Sequence, residues 1–203
     1  MFDSGIKVKD LFEQIENEAD IAIGIDDDVL LQSYNGLIRG LYRDIIQNEK
    51  MQEYGGEYID ENGVVTLDCD SEDVYRVYTK DFFELEKVNL TFALITSRMC
   101  WYVSGADTIT LKNFDEDSCY VVNYEIPDKV GTIKDNNGNN IIDPDPIVPV
   151  PIDFIDMVKA KIRGDMYNVA NDDDLAGKWY GTYNARLEDF KAWVIQNDAE
   201  VLG

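Results

Sequence analysis

The chain contains no histidine. That removes the side chain most used as a general base near neutral pH and as a transition-metal ligand. Neither a Ser-His nor a Cys-His nucleophile pair can be built. Cysteine is scarce as well. Cys69, Cys100 and Cys119 lie far apart, are odd in number and never form a C-x-x-C pair. Each sits among apolar or β-type neighbours, which points to buried free thiols rather than a disulfide framework or a zinc site. No apolar run approaches the roughly 18 residues of a membrane span. The start, "MFDSGIKVKDLF", lacks the basic region and apolar core of a secretory leader. The expectation is a chain made in a reducing cytoplasm, in which the sequon Asn89-Leu90-Thr91 is a chance match. Phosphate-cradling loops of the G-x-x-x-x-G-K-[ST] or G-x-G-x-x-G type are missing, and so is a G-x-S-x-G elbow. Positive charge is sparse too: 18 Lys and Arg stand against 41 Asp and Glu, giving -23 over 203 residues. Such a surface repels free nucleic acid, because duplex binding depends on neutralising phosphates. It is still compatible with DNA as a neighbour that has to pass without sticking.

What is present is an apolar fraction of 45%, enough for a folded core, in an order of helix, strand, helix. Residues 7–18 place Val8, Leu11, Phe12 and Ile15 at helical spacing. The Asp triplet 26–28 offers an N-cap and a negative first turn for a second helix. Its stripe is Leu30, Tyr34, Leu37, Ile38, Leu41 and Ile45, with Gly36 and Gly40 inside it as a site for close approach by another helix. From about 57 to 126 the segments "GVVTLDCD", "VYRVYTKDFFEL", "NLTFALITS", "CWYVSG", "DTITLKNF" and "SCYVVNYEI" are short β-type runs between turn residues. They predict an antiparallel sheet or small sandwich, with room for one helical turn between Phe82 and Arg98. Beyond residue 150, Ile155, Val158, Ile162, Met166 and Val169 share one helical face. Leu175, Trp179, Tyr183, Leu187, Phe190 and Val194 form the stripe of a last helix, and "NDDD" at 171–174 breaks and recaps the chain. The short break predicts an antiparallel helical hairpin.

The fold class expected is therefore α+β: an α-helical bundle of N- and C-terminal helices with an inserted antiparallel β-sheet or sandwich lobe. Residues 1–54 and 147–203 make the helical core, and 55–146 the β lobe with an Asn/Pro-rich connection. The Asp-triplet helices at 26–44 and 172–190 align at an offset of 146 (Tyr34 with Tyr180, Leu37 with Tyr183, Leu41 with Leu187). A duplication would produce that likeness, and so would shared cap chemistry with a core stripe, which is the reading favoured.

The dense acidic groups, Asp26–Asp28, Asp68/Asp70/Glu72 and Asp172–Asp174, fall at helix starts or turns, where carboxylates cap backbone N–H groups. Nothing in their spacing brings two of them together for acid–base work. The stretch "IKDNNGNNIIDPDPIVPVP", residues 133–151, begins like a calcium loop at Asp135, Asn137 and Asn139. An EF-hand then needs Gly at position 6 and Glu at position 12; here these are Asn140 and Pro146. "DNNGNN" reads instead as a turn tip and "PDPIVPVP" as a stiff strap to the helical core. Trp101, Tyr102, Tyr120 and Tyr124 read as sheet core and cross-strand pairs. No catalytic, cofactor-binding or metal-ligating residue is assigned, and no enzymatic activity is expected.

Three stretches together carry a family resemblance: "IDDDVLLQSYNGLIRGLYRDI", "WYVSGADTITLKNFDEDSCYVVNYEIPDKV" and "VPVPIDFIDMVKAKIRGDMYNVANDDDLAGKWYGTYNARLEDFKAWV". Their order resembles the head–tail adaptor (connector) proteins of tailed bacteriophages, from about residue 7 to 195. The long connection "GTIKDNNGNNIIDPDPI" departs from that pattern. The resemblance implies a structural virion protein at the capsid–tail junction, forming a homo-oligomeric ring, typically of twelve copies. Its partners would be the portal protein, a tail, tail-tube or nozzle protein, and genomic DNA passing non-specifically through the lumen, with no membrane and no cofactor. The acidic end "QNDAEVLG" would be an arm that orders on docking. The reading from another class is a calcium- or carbohydrate-binding β module on a helical scaffold.

Overall fold

The computed structural model describes residues 2–18 and 26–201. In chain order the elements are α1 (Val8–Glu18), α2 (Asp27–Leu41), β1 (Glu49–Gly55), β2 (Val64–Thr66), β3 (Val74–Thr79), β4 (Glu84–Lys87), α3 (Leu90–Ile95), β5 (Cys100–Val103), β6 (Thr108–Lys112), β7 (Ser118–Tyr124), β8 (Thr132–Lys134), β9 (Asn140–Ile142), α4 (Ile155–Val169) and α5 (Asp173–Val201). The chain is α+β and divides into two compact units, residues 1–46 with 127–203 and residues 47–126.

In the first unit both ends of the chain meet. Val8, Leu11, Phe12 and Ile15 of α1 are all buried, and Phe12 meets Tyr34 of α2 edge to face at 5.7 Å. Asp26 caps α2 by accepting a hydrogen bond from the Asp28 N–H at 3.1 Å. Such caps contribute about 1 kcal/mol. A π-helical turn, Tyr42–Ile46, closes α2. Helices α1 and α2 both pack on α4, and α4 makes its most extensive contact with α5. The reversal between α4 and α5 is built as the sequence predicts: Asn171 turns the chain at φ 59°, and the Asp172 carboxylate accepts from the Leu175 N–H at 3.1 Å.

Close helix approach falls at a different glycine from those expected. A Cβ at Gly36 or Gly40 would meet only open space, whereas one at Gly164 of α4 would lie 2.6 Å from the Tyr180 ring of α5. Val169, the last residue of α4, is exposed, so the buried face of the helix ends at Met166. Of the α5 stripe only Phe190 and Val194 are fully buried. The backbone of residues 196–201 continues α5, so the arm expected there is helical up to Val201; residues 202 and 203 lie outside the described residues.

The proline-rich segment is stitched into this unit. The Val8 N–H donates to the Pro146 carbonyl at 2.9 Å, and the Val148 N–H to that of Ile6 at 2.9 Å. The Tyr42 hydroxyl donates to the Pro149 carbonyl at 2.9 Å. Val148 and Val150 are wholly buried. Prolines leave fewer N–H groups to satisfy, so such a strap can be buried with few unpaired donors. Asn35 of α2 holds the chain further upstream, its side-chain amide exchanging two 2.9 Å hydrogen bonds with the backbone of Val130.

The second unit is a seven-stranded sheet in the order β1-β7-β3-β4-β5-β6-β2. It is mixed, not wholly antiparallel: β4 and β5 run parallel. Parallel neighbours need a crossover, and residues 88–99 provide it around α3. "NLTFALITS" therefore takes up, as α3, the helical turn for which the sequence left room between Phe82 and Arg98. The Asn89 side chain decides the matter by accepting from the Phe92 N–H at 2.9 Å, a cap that starts the turn. One core gathers Tyr54, Val65, Val77, Leu85, Trp101, Ile109 and Val121. Tyr54 and Val65 belong to the two edge strands, so the sheet curls until its edges share a single interior, in place of a two-sheet sandwich. This unit begins at 47 because β1 pairs with β7 along its whole length. It ends at 126 because the connection that follows packs with the helices. The limits set from sequence were 55 and 146.

Open space at Gly36 and Gly40 and crowding at Gly164 have opposite consequences. Gly36→Ala or Gly40→Ala should raise stability by about 0.5–1 kcal/mol, since Ala loses less conformational freedom in a helix interior. Gly164→Ala should lower it by about 1–3 kcal/mol, the usual cost of overpacking. Urea unfolding of the three variants measures both signs.

Candidate functional site

The acidic groups singled out in the sequence do not converge. Asp26 and Asp172 cap helices, and Asp70 caps a short 3-10 turn through the Glu72 N–H. Asp68 accepts from the Tyr54 hydroxyl and, at 2.7 Å, from the Gln52 amide. The Tyr54 hydrogen bond, foremost, holds its carboxyl below the ordinary range. In the Asn-rich loop, one Asp135 oxygen accepts from the Asn137 and Asn139 N–H groups, each at 2.8 Å. Gly138 turns the tip at φ 83°, and β8 and β9 pair as a hairpin on either side. The loop's own donors thus occupy the carboxylate that a calcium ion would use. Among the described residues no group of three or more His, Cys, Asp or Glu is placed to hold a metal ion.

The aromatic residues behave differently from one another. Trp101 is completely buried, its Nε1–H donating to the Leu85 carbonyl at 3.1 Å and its ring lying 4.7 Å under the Lys87 ammonium. Tyr120 stacks on Phe82 at 4.7 Å and Tyr124 on Tyr75 at 4.5 Å. All three cysteines are free, with Cys100 and Cys119 buried. Burial pushes the Cys119 thiol up to about 12, far from a reactive thiolate.

Two features not legible from spacing remain. The first is a groove of about 620 Å³ in the helical unit, between α2, its π-helical extension, α4 and α5. Gly36 and Gly40 leave it open; Leu37, Leu41, Ile45, Tyr183 and Leu187 give it apolar walls. At its edge Asp165 gathers three donors from three helices. These are the Ser33 hydroxyl, the Lys161 ammonium at 2.6 Å and the Tyr180 hydroxyl at 2.8 Å. Because Ser33 donates its proton to a carboxylate already engaged by Lys161, this cluster joins helices and does not generate a nucleophile. Desolvation, then the Asp165 hydrogen bond, raises the Tyr180 phenol to about 12. A second knot joins α1 to α4 and α5: Glu18 accepts from Arg163 and from Lys159, and the Arg163 guanidinium lies 4.7 Å over the Trp179 ring.

The second feature is α3 in the sheet unit. Of its six residues only Ala93 is buried, packed toward β5. Leu90, Phe92, Leu94 and Ile95 are all exposed, the last two at 71% and 79%. Met99 and Val103 extend the exposed apolar surface just downstream. These apolar side chains are thus exposed together on a single short helix.

Asp165→Ala leaves Ser33, Lys161 and Tyr180 without their acceptor and should destabilise the helical unit by about 1–3 kcal/mol, read from denaturant midpoints. Glu18 is held below its ordinary 4.5, chiefly by the Arg163 hydrogen bond. Its contribution is present above 4.5 and lost as pH falls through the lowered value. Glu18→Gln should therefore flatten the decline of stability below pH 4.5, measured as melting temperature against pH.

No protein-family model and no curated protein matches the chain.

Proposed function

We propose that the protein is a structural head–tail adaptor of a tailed bacteriophage, joining portal to tail as a homo-oligomeric ring of about twelve copies, in line with closed cyclic assembly. The observation that carries this reading is the packing of α1 and α2 on α4 in one unit that also holds α5, with the intervening residues 47–126 forming another. That order of helices, β insertion and helices is the pattern the sequence resembles. On this reading the helices of the first unit form a bundle and pack side by side with those of neighbouring copies. The ring lies at the capsid–tail junction of the virion after synthesis in the host cytoplasm.

The charge supports the same role. A conduit lined by carboxylates repels phosphates and lets DNA slide without a binding minimum; the chain supplies -23. The exposed α3 surface supports assembly with other proteins. Among the described residues no helix is long and apolar enough to cross a membrane. The calcium- or carbohydrate-module reading gains little, since Asp135 is taken up by its own loop and Trp101 is interior.

The test combines the purified chain with the portal protein of the same particle, followed by mass measurement and electron microscopy. Rings of the chain capping the portal, and the chain present in purified particles, are the expected results. A chain that stays monomeric with portal and is absent from particles overturns the proposal.

A further inference from the structure

The chain holds three Asn-Gly pairs, Asn35-Gly36, Asn62-Gly63 and Asn137-Gly138. Such a pair can react with itself, since glycine has no Cβ to keep its backbone nitrogen from the neighbouring side chain. The Gly nitrogen, once deprotonated, attacks Cγ of the Asn side chain. The new C–N bond closes a five-membered succinimide, and the Cγ–Nδ2 bond breaks with loss of ammonia. Water then opens the ring at Cγ to leave Asp, or at the main-chain carbonyl to leave isoaspartate, whose backbone carries one extra methylene. No oxidant, metal or enzyme is needed. What the fold decides is which of the three glycine nitrogens is free to swing.

Asn35 is fixed at both ends of its side-chain amide by the Val130 backbone, at 2.9 Å each. Gly36 lies inside α2, where its N–H belongs to the helix ladder. Asn62 and Asn137 sit in the same turn pattern, D-x-N-G-x, at 60–64 and 135–139. In each, one Asp oxygen accepts two N–H bonds of 2.8 Å, from Asn62 and Val64 or from Asn137 and Asn139. In each, the Gly N–H donates to the Asp carbonyl at 3.0 Å, and φ is positive, 76° at Gly63 and 83° at Gly138. The same local geometry stands in two different settings. At Gly63 the Leu111 N–H donates to the Gly63 carbonyl at 2.8 Å, and the Leu111 oxygen would lie 2.5 Å from a Cβ there. That turn runs straight into β2, which pairs with β6 in the seven-stranded sheet and carries the wholly buried Val65. At Gly138 nothing stands within 4 Å of a Cβ. The tip joins β8 to β9, three residues each, which pair with one another and with no other strand among the described residues. Thr132, Ile133, Lys134 and residues 136–140 are exposed. A lone two-stranded hairpin is marginal in water and opens at little cost, whereas the Gly63 turn opens only with the sheet edge. We infer that Asn137 is a self-modification site: the exposed tip of the β8–β9 hairpin converts spontaneously to Asp and isoaspartate, while the fold protects Asn35 and Asn62. Conversion puts a second carboxylate beside Asp135, and the extra methylene of isoaspartate takes the Gly138 N–H out of register with the Asp135 carbonyl. The inference is independent of the assembly reading.

The experiment ages the purified full chain in mildly alkaline buffer, native and in urea, and maps the products by peptide mass spectrometry. The readout is a mass gain equal to the difference between water and ammonia, with isoaspartate identified by enzymatic carboxyl methylation from labelled S-adenosylmethionine. In the native protein Asn137 should convert faster than Asn62 and Asn35 by about tenfold or more, a ratio set by the free energies of opening. In urea the three rates should draw together, since glycine follows each Asn. Native-state hydrogen exchange supplies a second arm: the Gly138 amide should exchange faster than that of Gly63. Asn137→Gln, which would need a larger ring to react, should remove the main methyl-accepting site and leave the melting temperature unchanged. Conversion of Asn62 or Asn35 as fast as Asn137 in the native protein overturns the inference. So does a native Asn137 that resists while the urea-unfolded chain converts, or exchange at Gly138 no faster than at Gly63.

Discussion

Helix α4 has to satisfy three neighbours at once, and the helical unit depends on its doing so. Ile155, Met157, Val158, Ala160, Ile162 and Met166 are buried, spread over more than one face. A helix clothed on several sides cannot be covered by its sequence neighbour alone. Gly164 removes the side chain where the Tyr180 ring has to lie, and Asp165 next to it collects donors from α2, α4 and α5. Apolar contact sets the distance between these helices, and one carboxylate fixes their register.

The same arrangement accounts for the groove. Where α5 runs along α4, its residues Tyr183 and Leu187 are only half covered, and α2 presents glycines instead of side chains opposite them. The apolar stripe is thus wider than the chain's own helices can cover.

How much of this was legible in the sequence depends on the range of the forces involved. Helices α1, α2, α4 and α5 announce themselves through stripes and caps, local signals that survive because tertiary contacts agree with them. "EKMQEYG" gave no sign of being β1, since an edge strand with one well-buried side chain, Tyr54, alternates too weakly. "NLTFALITS" was ambiguous from composition alone: its β-type residues yield to the Asn89 cap and to the crossover that β4 and β5 require. The Gly36/Gly40 pair looked like a helix-packing motif, yet Gly164, unmarked by any pattern, is the close contact. The Asn-rich loop behaved as its residue order indicated, because Asx turns are decided within five residues. The Asp165 cluster was beyond reach: Ser33, Lys161 and Tyr180 are brought together only by packing.

The discontinuity of the helical unit has a consequence for biosynthesis. Residues 47–126 form a contiguous stretch, so the sheet can close as soon as it has left the ribosome. Helices α1 and α2 emerge earlier but stay without their main partner until α4 has been translated, more than a hundred residues later. During that interval Leu11, Ile15, Leu30 and Leu41 are uncovered on a nascent chain. The acidic residues dispersed between them, such as Asp10, Glu13, Glu16, Asp27 and Asp28, place like charge beside that uncovered apolar surface, which opposes its association with another copy.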